Sequence, residues 1–315
     1  MKSGGEIAFE KLILATGARP RKLNIPGVNL GTLFYLRSLE DSAAIRRSAD
    51  ALKRAVVIGS GFIAMEVASV LRQKGLEVTM VLNEDRIWKR FFSPPMSAFF
   101  EDYYSARGVR FVKNATLTEL RGHGAVSSAV LADGRSVPCD MAVAGIGVQP
   151  STEMLASSGI EVNNGVMVDE FLKTSQPDVY AAGDVANYQD LLFGKRRRVE
   201  HWDNAVSQGQ YCARALMGER TPFKHVPYFF SDVFDLSYCK NTGGMPAPQI
   251  KSFTVVRSLA RVSACGGFGN DVWLQHSRWV VRTKNANLCR GGSKRSGPYQ
   301  PKSWNVSRGI SNALE

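Results

Sequence analysis

A chain of 315 residues, 44% of them hydrophobic, is long enough to bury a full core and to divide into about two domains. Its formal charge of +12 sits at one end, because residues 239–315 hold 12 of the 40 Lys and Arg but only Asp271 and Glu315 of the acids. The rest is close to neutral, which removes the electrostatic footprint of a nucleic-acid binder from the main body. No apolar run approaches the ~20 residues of a membrane span and no leader follows Met1, so the chain reads as cytoplasmic.

Taken in order, a strand is predicted over residues 11–15. It stops at Ala15-Thr16-Gly17, small residues that either admit a ligand close to the backbone or simply end a strand. Pro and Gly punctuate residues 20–31, and a capped helix is predicted over 38–52. Residues 55–68, A-V-V-I-G-S-G-F-I-A-M-E-V-A, read as strand, tight turn and helix, the pattern of a dinucleotide-binding turn. Gly59 permits the turn, Gly61 lets the backbone approach a pyrophosphate, and Ala64 keeps the helix close to the strand while its N-terminus offers donors. A second strand is predicted over 77–82. Glu84 lies about 20 residues beyond the glycines, where a ribose diol needs an acceptor; an ordinary glycine-rich turn is the plain alternative.

Arg86, Lys89 and Arg90 lead to a break at Pro94-Pro95, an amphipathic helix over 96–107 closed by Gly108, and a strand over 109–112. Residues 116–138 alternate as a β-meander with turns at Gly122-His123-Gly124 and Asp133-Gly134, which leaves His123 in solvent. An apolar run over 141–148 reads as a buried parallel strand ending in Gly145-x-Gly147, its glycines facing a ligand. Residues 174–186 read as another buried strand that reaches Gly183-Asp184 and enters a helix, where Asp184 either accepts from ligand hydroxyls or caps the helix. Lys195-Arg196-Arg197-Arg198 reads as a solvated loop. Glu200-His201-Trp202 precedes a helix over 204–217, and aromatic-rich residues 226–238 read as the first strand of a further β-containing domain. Five scattered cysteines without a close pair exclude a disulfide framework, a zinc site and a redox dithiol.

Six motifs, A-T-G-A-R-P-R, G-x-G-x-x-A-M-E, A-G-I-G-V-Q-P, V-Y-A-A-G-D-V-A, V-E-H-W and V-P-Y-F-F-S-D-V-F-D, stand in the order and spacing of one family. Over about residues 5–238 the chain resembles FAD-dependent, NAD(P)H-using reductases of the ferredoxin-reductase type, close to apoptosis-inducing-factor-like proteins and monodehydroascorbate reductases. The resemblance implies an α/β fold of Rossmann-like FAD/NAD(P)-binding domains of the three-layer ββα type, with the start of a small α+β C-terminal domain. It assigns residues 1–50 to part of an FAD-binding domain and linker, 51–150 to the NAD(P)H-binding domain, 151–221 to the returning FAD segment and 222–238 to the C-terminal domain. By the same resemblance Ala15, Thr16, Gly17 and Arg19 border FAD, Gly183 and Asp184 hold its ribitol chain, and His201 and Trp202 line the isoalloxazine. Gly59, Gly61, Ile63, Glu66, Glu84 and Gly147 would serve NADH, with Glu66 beside the nicotinamide as the catalytic side chain, and Phe230 would close over the ring.

The implied chemistry is hydride transfer from NADH to the flavin, then electron release to a ferredoxin, a rubredoxin, a quinone or an ascorbate radical. Preference for NADH rests on Glu84. Leu82 holds the strand-end position where many relatives place the acid, and Arg86 and Arg90 could serve a 2′-phosphate, so NADPH stays open. A non-catalytic NADH-binding protein or an inactive remnant is the alternative.

The chain also departs from this family. Nothing before Lys11 can supply the family's first FAD-binding turn, and after Tyr238 acids vanish and periodicity stops. Codons for Cys239 onward, read one base out of register, admit a peptide beginning E-Y-W-G-D that continues the family pattern. The expectation is a fragment whose residues 239–315 are out of frame and disordered, with apolar faces partly uncovered near residues 12–14 and 179–182 and weak or absent flavin binding by this chain alone. The coding DNA tests the frame directly.

Overall fold

The computed structural model describes residues 6–241, 260–264, 274–275 and 280–281. The expectation of disorder over 239–315 falls largely outside the described residues. Short apolar runs form β1 (Leu12–Leu14), β2 (Ala18–Pro20) and β3 (Leu33–Phe34) ahead of α1 (Leu39–Ala51). Ser38 and Asp41 cap α1 reciprocally, Asp41 N–H donating to Ser38 Oγ (3.2 Å) and Ser38 N–H to Asp41 Oδ2 (2.9 Å). Then come β4 (Arg54–Ile58), α2 (Phe62–Gln73), β5 (Glu77–Val81), α3 (Pro94–Ser105) and β6 (Val109–Val112). Pro94 and Pro95 do not break the chain as expected but begin α3, where the first N–H groups have no intrahelical partner to lose.

The chain continues with β7 (Leu117–His123), β8 (Ala125–Leu131), β9 (Ser136–Pro138), β10 (Met141–Ala144), β11 (Val148–Pro150), β12 (Val166–Val168), β13 (Val179–Ala181), β14 (Ala186–Asp190), β15 (Lys195–Arg197) and α4 (Trp202–Leu216). It closes with β16 (Tyr228–Val233) and β17 (Leu236–Asn241), followed by β18 (Ala260–Ala264), β19 (Leu274–Gln275) and β20 (Val280–Val281). Two compact units share these elements: among the described residues, 6–19, 148–229 and 241 form one, and 20–147, 230–240, 260–264, 274–275 and 280–281 the other.

The second unit is built on a parallel sheet of order β3-β10-β4-β5-β6. Its central strands are buried along their length, which is why they read as unbroken apolar runs. On one face Val56, Ile58, Val81, Ala142 and Ala144 pack against Leu120, Val126 and Leu131 of the antiparallel β7-β8-β9 meander. By strand alternation Val57, Met80 and Val143 face the other way, the side taken by α2 with its buried Met65, Ala68 and Leu71. The result is the three-layer ββα arrangement. The turn between β16 and β17 belongs to this unit: Phe234 packs its ring 4.9 Å from that of Tyr104 on α3, and Asp235 accepts from Tyr103 Oη and from Arg107 Nη2 (2.8 Å). Residues 226–238, expected as one strand, therefore double back at Phe234, whose φ is +54°.

In the first unit, β1 pairs in parallel with β13, β2 lies beside β11 with Ser151 N–H donating to Gly17 O, and β12-β14-β15 form a third sheet. Leu14, Val166, Val168, Leu172, Tyr188, Tyr211 and Phe223 surround residues 179–182 in its core. The predicted exposure of residues 179–182 is thus corrected: all four are buried, and Leu12 and Ile13 are half-buried against the same cluster.

Two further readings change. Gly183-Asp184 does not open a helix but a three-residue 3-10 turn, after which the alternating A-N-Y-Q-D pairs as β14. The arginine run is no solvated loop: β15 pairs antiparallel with β14, Arg196 donates to the carbonyls of Val168 (2.7 Å) and Asn187 (2.6 Å), and Arg197 meets Asp190 at 2.5 Å. Three like charges read as solvent-facing only until the acceptors that the fold brings to them are counted. Among the described residues no helix is long and apolar enough to cross a membrane.

Candidate functional site

In the second unit the stretch from β4 to α2 makes a tight turn at Gly59, whose φ is +122°. Gly59 N–H donates to Val81 O (2.9 Å), and a side chain here would reach 2.3 Å from Gly145 O. Gly145 is equally hemmed in, since its own Cβ would lie 3.0 Å from the Cβ and N of Ala64. Gly61, the N-cap of α2, makes no side-chain cap hydrogen bond, and a Cβ there would meet nothing within 4 Å. The space beside Gly61 at the start of α2 is therefore open among the described residues, as the approach of a phosphate to a helix N-terminus requires.

Ser60, between the two glycines, donates its hydroxyl to Glu84 Oε2 (2.5 Å), while Arg90 Nε lies 3.8 Å from Oε1. Trp88 N–H closes the far side by donating to Ser60 O (3.0 Å). Thus Glu84, just beyond β5, is brought beside the turn as expected. Arg90 is largely exposed and lies within ion-pair distance of this acid. Ile63, partly exposed, and Glu66 follow on α2. Gly147, past β10, accepts from Arg21 N–H (2.9 Å); the predicted long strand over 141–148 ends early, at Ala144, where Gly145 N–H turns to Ile58 O (2.8 Å).

Glu66 accepts from Ser231 Oγ at 2.5 Å, and Phe230 is the neighbouring half-buried residue of β16. Burial pushes the Glu66 carboxyl up to about 7, with Asp232 adding to the rise and the Ser231 hydrogen bond opposing it. Because the folded chain holds this proton more tightly than the unfolded one, Glu66 makes stability fall as pH rises from about 4.5 to about 7. Glu66→Gln should flatten that slope, checked by urea midpoints at pH 5 and pH 8; an unchanged pH dependence would contradict it.

In the first unit, Ala15 and Thr16 are exposed after β1, Thr16 Oγ1 donates to Ser151 O (2.7 Å), and Gly17 O accepts from Ser151 N–H (3.0 Å). Arg19 is ion-paired with Glu153. Gly183 (φ +78°) packs 3.4 Å, as a notional Cβ, from Ala205, and its N–H donates to Gln208 Oε1 (2.8 Å). His201 is the N-cap of α4, its Nδ1 accepting from Asp203 N–H, and Trp202 stands half exposed as the first helical residue. So Ala15, Thr16, Gly17, Arg19, Gly183, Asp184, His201 and Trp202 share one unit, and Gly59, Gly61, Ile63, Glu66, Glu84, Gly147 and Phe230 share the other.

Sequence reasoning passed over Ser60, Ser231, Asn204, Gln208 and the Asp203–His225 pair (2.6 Å). Asn204 and Gln208 are fully buried one turn apart on α4, a polar stripe that the sequence displays at i and i+4. Gln208 Nε2 and Asn204 Oδ1 have no hydrogen-bond partner among the described residues. Buried amides of this kind are normally satisfied, so they suit a polar ligand beside the Gly183 turn.

Residues 1–209 match the family model described as pyridine nucleotide-disulphide oxidoreductase. The chain belongs to the pyridine nucleotide-disulphide oxidoreductase family. It is 40% identical to a rubredoxin-NAD(+) reductase of Pseudomonas putida over 233 residues, covering 74% of the chain and 60% of the relative. It is 36% identical to monodehydroascorbate reductase 3 of Arabidopsis thaliana over 251 residues, covering 75% and 57%. Among solved structures, the ferredoxin reductase for the CYP199A2 system of Rhodopseudomonas palustris superposes with a TM-score of 0.72 at 40% identity, covering 74% of the chain and 58% of that structure. The reductase in a covalent putidaredoxin reductase–putidaredoxin complex superposes with a TM-score of 0.71 at 33% identity, covering 74% and 57%. The chain thus spans about 60% of the length of the relatives it matches.

Reductases of this family use FAD and NADH, and the two sites fit those groups by different signs. At the β4–α2 turn these are an open helix N-terminus and a held carboxylate. At the Gly183 turn they are orphaned buried amides. Cys139 and Cys212 are buried, and burial pushes both thiols up to about 12, so neither is poised as a thiolate. Both should resist alkylation at pH 8 until denaturant is added, as mass spectrometry of iodoacetamide-treated protein would read.

Proposed function

We propose that the chain acts as an NADH-dependent flavoprotein reductase that passes electrons to a ferredoxin- or rubredoxin-type protein, a quinone or an ascorbate radical. The observation that carries this reading is the Ser60–Glu84 hydrogen bond, which holds a carboxylate beside an open dinucleotide turn. Glu84 in that position accepts from the 2′- and 3′-hydroxyls of NADH and repels the 2′-phosphate of NADPH. Gly59 and Gly61 bring the pyrophosphate to the start of α2, and Ile63, Glu66 and Gly147 line the path toward the nicotinamide. A neutral Glu66 carboxyl can donate to a carboxamide oxygen, which an ionised one cannot.

FAD bound in this unit would supply hydride acceptance from NADH and electron release to the acceptor. Toward it Ala15, Thr16, Gly17 and Arg19 would offer the strand-end backbone, Gly183 and Asp184 the ribitol acceptor, and His201 and Trp202 aromatic surface. Binding and orientation are the protein's share of such a reaction.

Titration of the full chain with NADH and NADPH, followed by nucleotide fluorescence, tests the reading. NADH should bind more tightly, and Glu84→Gln should weaken NADH about tenfold, the loss of one charge-assisted hydrogen bond, while weakening NADPH less. Equal affinity for both nucleotides would overturn the assignment of Glu84. Tight NADH binding without ferricyanide reduction, even with added FAD, would favour the non-catalytic reading.

A further inference from the structure

We propose that Arg198 and Gln208 are positioning residues that hold the Gly183–Val185 turn in its ligand-binding shape before a flavin nucleotide arrives. The inference rests on the FAD reading of this unit and goes beyond it by naming what aims Asp184. Gly183 and Asp184 sit in a 3-10 turn of three residues between β13 and β14. So short a turn has little rigidity of its own, and its one internal tie is the Ala186 N–H to Gly183 O bond. The path of the backbone that carries Asp184 is therefore set by what fixes it on either side.

Two side chains from separate elements do so. Gln208 on α4 accepts from Gly183 N–H at 2.8 Å, and Arg198, just past β15, donates from Nη1 to Asp184 O at 2.8 Å. The two bonds bracket the φ and ψ angles of both Gly183 and Asp184. Each clamp is itself held. The Arg198 side chain is 8% exposed, its Nη2 meets Glu200 at 2.6 Å and Asn164 Oδ1 at 3.4 Å, and its Cδ lies 2.7 Å from the place a Cβ on Gly165 would take. Gly165 is thus the residue that lets the arginine through. Gln208 is fully buried, and because its Oε1 must face the Gly183 N–H, its Nε2 points away from that bond and has no hydrogen-bond partner among the described residues.

That donor, with the unpartnered Oδ1 of Asn204 one helical turn earlier, is the second sign of a polar ligand here. A clamp formed in advance removes the ordering cost that a mobile turn would impose on binding.

The experiment uses the full chain with Arg198→Met, Arg198→Lys and Gln208→Met. Amide exchange of the peptide covering residues 180–186, measured without flavin, should speed up about tenfold in both Met variants, with Arg198→Lys recovering most of the protection. Titration with FAD, read by quenching of flavin fluorescence, should show the same order, the Met variants binding about tenfold more weakly. NADH titration, which reads the other unit, should not change in any of the three and so reports that the chain is folded. Parental exchange at 180–186 in the Met variants overturns the clamp. Parental FAD affinity with accelerated exchange overturns its role in binding. Absence of FAD binding by the parent, with accelerated exchange in the variants, overturns the flavin reading while the clamp stands.

Discussion

Gly59→Ala is expected to abolish pyridine-nucleotide binding and to destabilise the protein by about 3 kcal/mol or more. The φ of +122° costs an alanine about 1–3 kcal/mol, and the new Cβ would stand 2.3 Å from Gly145 O. Neither backbone can yield. Gly59 N–H is tied to Val81 O and Gly145 N–H to Ile58 O, both within the central sheet, so overpacking adds about 1–3 kcal/mol. Gly61→Ala is the matched control. Its Cβ meets nothing within 4 Å among the described residues, so stability should stay within about 1 kcal/mol, the scale of an ordinary Gly–Ala difference, while NADH affinity falls because the methyl enters the space that a pyrophosphate would fill. Urea unfolding and NADH titration separate the two variants. A Gly59→Ala chain that unfolds at the parental midpoint and still binds NADH would contradict the geometry.

The second large effect is expected at Asp190. Its side chain is 3% exposed and meets the Arg197 guanidinium, 12% exposed, at 2.5 Å. Oδ1 also accepts from Leu192 N–H (2.9 Å) and Phe193 N–H (3.2 Å), which makes the β14–β15 turn. Asp190→Ala leaves the buried arginine without its counter-charge and should cost about 3–5 kcal/mol. Asp190→Ala combined with Arg197→Met should recover a good part of that loss, because no charge is then left in the interior, whereas additive losses would argue against a coupled pair. Calorimetric or denaturant unfolding of the parent, the single and the double variant forms the cycle.

These two sites differ in how far they could be read from residues alone. The Gly59 turn was legible because its requirements are local: a β-branched strand, glycine where φ is positive, a small residue at Ala64 and a periodic helix all fall within about one supersecondary unit. The same holds for α1, whose Ser38–Asp41 cap lies within four residues, and for the β7-β8-β9 meander with its Gly and Asp-Gly turns. Asp190 and Arg197 were not legible in this way. A run of four basic residues favours solvent on composition, and only the antiparallel pairing of β14 with β15 delivers the carboxylate and carbonyls that make burial tolerable. Gly183-Asp184 was misread for a related reason, since a strand followed by glycine and a carboxylate suits a helix start, yet β14 gains more by pairing with β12 and β15 than a helix would offer.

Sequence chemistry was thus enough for the order of strands and helices in the parallel-sheet unit, the glycine turn between β4 and α2 and the family resemblance. All of these depend on neighbours a few residues apart, or on motifs that keep their spacing. Tertiary structure alone decided that Ser60 holds Glu84, that Ser231 reaches Glu66 from 165 residues away, and that Arg198 and Gln208 fix the turn bearing Asp184. Those partners lie on separate elements, and hydrogen-bond acceptors and dielectric environment exist for a side chain only once packing has brought the elements together.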